Sequence, residues 1–194
     1  MNKFIKTALD TAEIVGKTVV STIPIGGAMI TAVYDTVKNN CLAKRQQKWQ
    51  KVIELRLSKL EKTLEEIGNN EFFAAALIKT TESAMKSPSE EKLCYLAEAL
   101  ANSIEESVDE TKLLIFLNLI DKYTVAHIKL LENYYQGCIE VWEDKELQQK
   151  IHNDLVNDAL LLFANNSSNM CLGELGKEFY EFINYNRGIE LCDR

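Results

Sequence analysis

Proline and glycine are scarce in this sequence, with 2 prolines and 8 glycines among 194 residues. A sheet-rich protein of this length needs more turns than these residues can mark, so a β-rich fold is excluded. Apolar residues make up 46% of the chain and charged residues 26%, which excludes global disorder. We therefore predict an all-α fold.

Histidine is equally rare, and His127 and His152 have no cysteines or carboxylates around them at metal-ligand spacing. The five cysteines are Cys41, Cys94, Cys138, Cys171 and Cys192. Their odd number, wide spacing and lack of a CxxC pair argue against a disulfide framework or a zinc site, and favour a reducing compartment. No phosphate-binding glycine motif occurs, and no set of acid, base and nucleophile can be assembled. We predict a non-enzymatic protein without metal or cofactor.

Charge is divided unevenly along the chain. Residues 1–89 contain 13 Lys and Arg against 9 Asp and Glu, whereas residues 90–194 contain 9 against 20. Phosphate binding depends on clustered Lys and Arg, so the acidic part is not expected to bind nucleic acid. The basic part fits an anionic membrane surface or an acidic protein. We predict two regions, a helical region at 1–106 and an acidic module at 107–194.

The helical periodicity predicts an N-terminal hairpin followed by one long helix. A first helix is expected at 3–22, a break at 21–27, and a second helix from Ala28 to Ile67. The later part of that helix has apolar residues at steps of 3 and 4 from Trp49 to Ile67. Further helices are predicted at 71–86, 88–104, 109–120, 124–135, 145–151, 153–164 and 174–183, with a short strand at 170–172.

Residues 109–183 resemble a winged-helix module. The stretch ELGKEFYEFI at 174–183 resembles the T-x-L-G-x-x-F closing segment of many bacterial winged helices, in which the leucine begins the final helix. The resemblance does not extend to reading DNA. The predicted recognition helix, 154–164, contains Asp154, Asn157 and Asp158 and no Lys or Arg. A protein-binding or purely structural winged-helix-like module is therefore expected.

The whole chain resembles small helical proteins of bacterial prophages and defence islands. The matching stretches are IPIGGAMITAVYDTV before KRQQKWQ, then EEKLCYLAEALANSI and DETKLLIFLNLIDKYTVAHIKLLENY. It is similar to the ring-interacting bacterial immunity proteins, in which phage ring assemblies trigger membrane disruption. The resemblance implies a cytoplasmic protein that binds a ring-shaped phage oligomer, forms a homo-oligomer and moves to the inner membrane on activation.

The segment Ile14–Tyr34 is the most apolar part of the chain and contains one charge, Lys17. Its charge-free run of 17 residues, Thr18–Tyr34, is near the lower limit for a membrane-spanning helix. The membrane-insertion candidates are Ile14, Val15, Val19, Val20, Ile23, Ile25, Met29, Ile30 and Val33. The alternative interpretation is a helical hairpin buried in the core.

A basic cluster follows the apolar segment. Its membrane-flank candidates are Lys38, Lys44, Arg45, Lys48 and Lys51. Lys and Arg beside an apolar segment are attracted to anionic lipid, and the aromatic side chains Tyr34 and Trp49 favour the membrane interface. A DNA-binding stretch at 38–62 is a third interpretation of the same charges, although Glu54 and Glu61 interrupt it.

Two functions of different classes follow from these features. The first is an antiphage immunity effector that senses a phage protein assembly and oligomerises to disrupt the inner membrane. The second is a soluble protein-binding adaptor or regulator whose winged helix binds a partner and whose long helix dimerises.

Overall fold

The computed structural model describes residues 41–60, 67, 70–104, 109–138, 142–163 and 170–184. Seven helices and one two-stranded sheet lie within these ranges, so the predicted all-α character is confirmed for them. The predicted N-terminal hairpin, all nine membrane-insertion candidates and Lys38 lie outside the described residues.

The elements are numbered in chain order. They are α1 Ala43–Leu57, α2 Glu71–Lys86, α3 Glu90–Asn102, α4 Glu110–Lys122, α5 Val125–Gln136, α6 Lys145–Asn157, β1 Leu161–Phe163, β2 Met170–Leu172 and α7 Glu174–Asn184.

Four helices begin at a residue whose side chain accepts a backbone N–H of the first turn. These N-caps are Asn70, Ser89, Asp109 and Asp144. Each satisfies one of the N–H groups that a helix start leaves without an intrahelical partner. The helix predicted from residue 88 begins two residues later, because Ser89 accepts from the Lys92 N–H and α3 begins at Glu90.

Helix α1 is shorter than the sequence predicts. A continuous helix to Ile67 is wrong, because α1 ends at Leu57. The Ser58 hydroxyl donates to the Leu55 carbonyl at 3.0 Å, and the next two N–H groups bond to the third preceding carbonyl. Such side-chain and short-range bonds compete with helix continuation. The described helix is therefore roughly 22 Å long, against roughly 60 Å for a continuous helix from Ala28 to Ile67.

Helix α3 lies at the centre of the described core. It packs against α1, α2, α4 and α7, and nearly all its side chains from Leu93 to Asn102 are buried. The Asn102 side chain donates to the Phe182 carbonyl at 2.6 Å, which ties α3 to α7. The Phe116 ring contacts the rings of Phe179 and Phe182 at centroid distances of 5.5 and 5.2 Å. Described residues from both sides of position 106 thus share one hydrophobic cluster.

The chain from Lys145 to Phe163 differs from the prediction of two helices. One helix, α6, covers the first part, and residues 161–163 form a strand. Helix α6 ends where Ala159 adopts a left-handed backbone (φ 59°), with the Ala159 and Leu160 N–H groups bonded to the carbonyls of Val156 and Leu155. This is the hydrogen-bond pattern of a Schellman motif, in which glycine is the usual residue.

Strands β1 and β2 form an antiparallel hairpin that leads into α7. The register pairs Leu161 with Leu172 and Phe163 with Met170. Helix α7 lies close to the connection before β1, because a Cβ at Gly176 would be 2.2 Å from the Leu160 carbonyl oxygen. Only glycine permits this approach, which accounts for the L-G-x-x-F spacing in physical terms.

Candidate functional site

The exposed face of α1 brings three of the basic candidates together. Lys44, Lys48 and Lys51 are exposed and follow at steps of 4 and 3, so they share one side of the helix. Lys48 pairs with Glu90 at the start of α3, whereas Lys44 and Lys51 have no ion pair among the described residues. We call these three residues the basic face.

Arg45 has a structural role instead. Its guanidinium donates to the Met85 carbonyl at 2.9 Å and so satisfies a carbonyl in the last turn of α2. A cation at this position also complements the negative end of the helix dipole. The sequence prediction therefore groups one structural arginine with three exposed lysines.

Trp49 anchors α1 to α2. Its side chain is fully buried (0% exposed), and its indole N–H donates to the Thr81 hydroxyl at 3.0 Å. The expectation that Trp49 lies at a membrane interface is wrong for this fold. The apolar stripe on α1 turns Trp49 and Ile53 inward, which leaves the lysines outward.

A buried ion pair fixes the other half of α1. The Arg56 Nε lies 3.0 Å from the Glu98 Oε2, and the two side chains are only 6% and 11% exposed. Burial raises the pKa of Glu98, and the neighbouring Arg56 charge offsets part of that shift. Arg56 is one of the eight cations at 38–62, and its burial leaves it unable to contact a phosphate backbone.

Helices α2 and α4 present an apolar face to solvent. Its large side chains are Phe72 and Ile78 on α2 and Leu114 and Ile115 on α4, each 40–44% exposed. The Lys79 ammonium donates to the Asn118 side chain, so α2 and α4 are neighbouring helices. We call this surface the α2–α4 face.

The β-hairpin carries a second exposed apolar group. Phe163 is 60% exposed and Leu162 is 47% exposed, whereas Leu161 is buried. We call Leu162 and Phe163 the hairpin pair. Sequence reasoning missed the hairpin pair because it assigned residues 153–164 to a helix, and it missed the α2–α4 face because exposure depends on how the helices pack.

Both histidines belong to hydrogen-bonded contacts between helices. The His127 ring stacks on Tyr123 at 4.9 Å, its Nδ1 accepts from the Thr124 N–H, and its Nε2 lies 3.4 Å from Asp154. Burial lowers the pKa of His127, an effect that Asp154 partly opposes. His152 is placed similarly between Tyr134 and the carbonyl of Gln148. Within the described ranges, no group of three or more His, Cys, Asp and Glu is arranged to hold a metal ion.

A cleft of about 550 Å³ lies between the α2–α3 loop and the α4–α5 junction. Its lysines are already engaged. The Lys92 ammonium donates to the carbonyls of Asp121 and Tyr123 at 3.0 and 2.7 Å, and burial lowers its pKa. Lys86 pairs with Asp121 and Lys122 with Asp158. These contacts join α3 to the end of α4, and the cleft offers a ligand no unpaired cation among its described lining residues.

The four cysteines in the described ranges divide into two groups. Cys41, Cys138 and Cys171 are free and exposed. Cys94, on α3, is disulfide-bonded, which the odd count and wide spacing do not predict.

Comparisons with protein families, with curated proteins and with solved structures found no match to this chain. No relative's activity can therefore be carried over to these surfaces. Among the residues that the structure describes, no helix has the length and apolar content to cross a membrane.

Proposed function

We propose that this chain is a non-enzymatic antiphage immunity effector of bacteria, which senses a phage protein assembly and oligomerises to disrupt the inner membrane. The observation that carries the proposal is the basic face. It points to solvent on α1, the first described helix after the apolar segment Ile14–Tyr34. In the resting state the protein would be cytoplasmic.

The membrane step joins two attractions of different kinds. The apolar segment would be buried among the lipid acyl chains, and Lys44, Lys48 and Lys51 would be attracted to the anionic headgroups. Trp49 and Arg56 hold α1 to the folded body, so the lysines approach the surface as a fixed row. A segment of 17 uncharged residues is short for a helix that spans the membrane. Several copies of the segment acting together would perturb the bilayer more than a single copy.

The sensing step is assigned to the acidic C-terminal part. We propose that α4, α5 and α6 with the β-hairpin form a protein-binding winged helix in which the hairpin is the wing. Lys145 and Lys150 are the two cations of α6, and Lys150 pairs with Asp154, so a protein surface suits it better than DNA. The phage assembly must bind the released form more tightly than the resting form, because equal affinity would shift nothing.

Dye-loaded vesicles test the membrane step. The purified full chain is added to phosphatidylglycerol-rich vesicles with and without a lysate of phage-infected cells, and Val20→Asp and Ile30→Asp are compared with Gln149→Asp. Gln149 is exposed on α6, so it controls for the added charge. We expect leakage by wild type and Gln149→Asp only. A wild type that never permeabilises anionic vesicles, with both segment variants still protective against phage, would refute the proposal.

The hairpin pair favours a second candidate, a soluble protein-binding adaptor or regulator. Leu162 and Phe163 are exposed apolar side chains on β1, and such groups suit a protein partner. In this case the segment Ile14–Tyr34 would be core, and Val20→Asp would unfold the protein through a buried unpaired charge. Circular dichroism of that variant separates the candidates, since the effector predicts an unchanged helical spectrum.

A further inference from the structure

The cleft between the α2–α3 loop and the α4–α5 junction contains a buried ammonium group with a hydrogen-bond donor to spare. Lys92 is 8% exposed, and its ammonium donates to the carbonyls of Asp121 and Tyr123. An ammonium has three N–H donors, so one of them is left without an acceptor among the described residues. All the described lysines of the cleft have partners, but Lys92 bonds to carbonyls, whereas Lys86 and Lys122 pair with carboxylates. An anion in the cleft would complement this buried cation.

A second buried polar group of the same cleft lacks a hydrogen bond. Ser83, in the last turn of α2, lines the cleft and is 2% exposed. Its hydroxyl has no hydrogen-bond partner among the described residues. A buried hydroxyl without a partner is costly, and such groups are rare in folded proteins. An oxygen atom of a bound molecule would satisfy it.

The start of α5 supplies backbone donors to the same cleft. Val125 and Ala126, the first two residues of the helix, line the cleft. The first N–H groups of a helix have no intrahelical acceptor, and no other acceptor meets these two N–H groups within the described ranges. The Lys92 ammonium bonds to the Tyr123 carbonyl, so its charge lies beside the helix start. A helix N-terminus and a neighbouring cation both favour a negatively charged ligand.

We propose that this cleft binds a small phosphorylated molecule of about the size of a mononucleotide. Its phosphate oxygens accept from the Lys92 ammonium, from the Ser83 hydroxyl and from the N–H groups at the start of α5. A phosphate suits donors of such different origin because it presents several strong acceptor oxygens. The volume of about 550 Å³ is typical of small-molecule sites, and Pro88, Val125 and Ala126 are apolar lining residues for the rest of the ligand. Such a site goes beyond the proposed function and requires neither a phage assembly nor a membrane.

Isothermal titration calorimetry of the full chain with AMP tests the site, and adenosine and inorganic phosphate are the comparison ligands. We expect saturable binding of AMP, weaker binding of inorganic phosphate and none of adenosine. In isotope-labelled protein the amide NMR signals of Val125 and Ala126 should shift on addition of AMP, whereas that of Gln149 on α6 should not. A chain that does not bind AMP, or that binds adenosine as tightly, would overturn the proposal.

Two variants test whether these donors hold the phosphate. Ser83→Ala removes the hydroxyl and breaks no hydrogen bond among the described residues. Val125→Pro removes the first N–H of α5 at a helix position that tolerates proline, and the extended backbone of Thr124 (φ −82°, ψ 167°) suits the residue before a proline. We expect each variant to bind AMP about tenfold more weakly than wild type, because each loses one hydrogen bond to a charged group.

Glu110→Pro is the matched control for the proline substitution. It makes the same change at the first position of α4, after Asp109 with its extended backbone (φ −61°, ψ 141°), and α4 meets the cleft at its other end. This control should bind AMP as wild type does, and circular dichroism should show wild-type helical content in all three variants. Wild-type affinity in both Ser83→Ala and Val125→Pro would overturn the proposal, as would an equal loss of affinity in Glu110→Pro.

Discussion

The ion pair between Arg56 and Glu98 makes the sharpest prediction about how α1 is held. In Arg56→Met the Glu98 carboxylate keeps its buried position and loses the one opposite charge that lies within ion-pair distance of it among the described residues. Removing one partner of a buried pair typically costs about 3–5 kcal/mol. That is a large part of the roughly 5–15 kcal/mol by which a typical domain is stable.

Urea unfolding followed by circular dichroism measures this cost, and Arg56→Met/Glu98→Met is the control. The double variant fills the same space without a charge, so its free energy of unfolding should return to within about 1.5 kcal/mol of wild type. A loss below about 1 kcal/mol in Arg56→Met, the range of exposed pairs, would refute this account of the anchor. So would a double variant as unstable as Arg56→Met.

The same variant has a pH dependence with a definite sign. Burial already holds the pKa of Glu98 above its ordinary value, and without Arg56 it rises further. A carboxyl whose pKa is higher in the folded than in the unfolded state favours folding below its unfolded pKa, and this contribution is lost as pH rises through the folded pKa. The cost of Arg56→Met should therefore be larger at pH 8 than at pH 5, and an equal cost would contradict it.

Three further predictions concern the C-terminal part, each measured by urea unfolding. Ala159→Gly should stabilise the protein by about 1 kcal/mol, because glycine adopts the left-handed backbone without strain; a loss of stability would contradict the assigned helix end. Gly176→Ala should destabilise it by about 1–3 kcal/mol, because its methyl group meets the Leu160 carbonyl; a neutral effect would mean that α7 does not lie so close. Burial lowers the pKa of His127 in the folded protein. Its contribution to the free energy of unfolding is therefore present above the pKa of the unfolded state and is lost as pH falls through the pKa of the folded state. His127→Gln should therefore lose less stability than wild type between pH 7 and pH 5, and an identical loss would refute this role.

Helix positions in the middle of the chain could be predicted because their local signals agree with their packing. Asp109 begins α4 and Thr124 begins α5 as predicted, and Gly137 ends α5 with a left-handed backbone. The Asp109 side chain accepts the Lys112 N–H, and the His127 ring accepts the Thr124 N–H, so short-range contacts mark both helix starts. The helical character of most of the described chain follows from the same patterns.

The ends of α1 and α6 could not be predicted from those signals. Apolar spacing continues past Leu57, although α1 ends there and the Ser58 hydroxyl bonds to the Leu55 carbonyl. At Ala159 the left-handed turn occurs without the glycine that usually marks it. In both places the sequence pattern is compatible with two local backbone conformations, so it does not place the helix end.

The basic candidates show how far the roles of individual site residues can be predicted from the sequence. The charges of Arg45 and Arg56 resemble those of their lysine neighbours in sequence, but one satisfies the end of α2 and the other is buried against Glu98. Met85 and Glu98 decide these roles, and they lie 40 and 42 positions further along the chain than the two arginines. Sequence spacing identifies the face of a helix, whereas the partner from another helix is known only from the fold.

The partition of the protein into anionic vesicles tests the central claim most directly. Lys44→Gln/Lys51→Gln removes the two charges of the basic face that have no ion pair within the described ranges, and Lys145→Gln/Lys177→Gln removes two exposed charges elsewhere. At about 1 kcal/mol for each lysine near an anionic surface, the first pair should weaken partition about 30-fold. We expect wild-type partition for the second pair. Equal partition by wild type and both variants, or no partition at all into phosphatidylglycerol vesicles, would contradict the account.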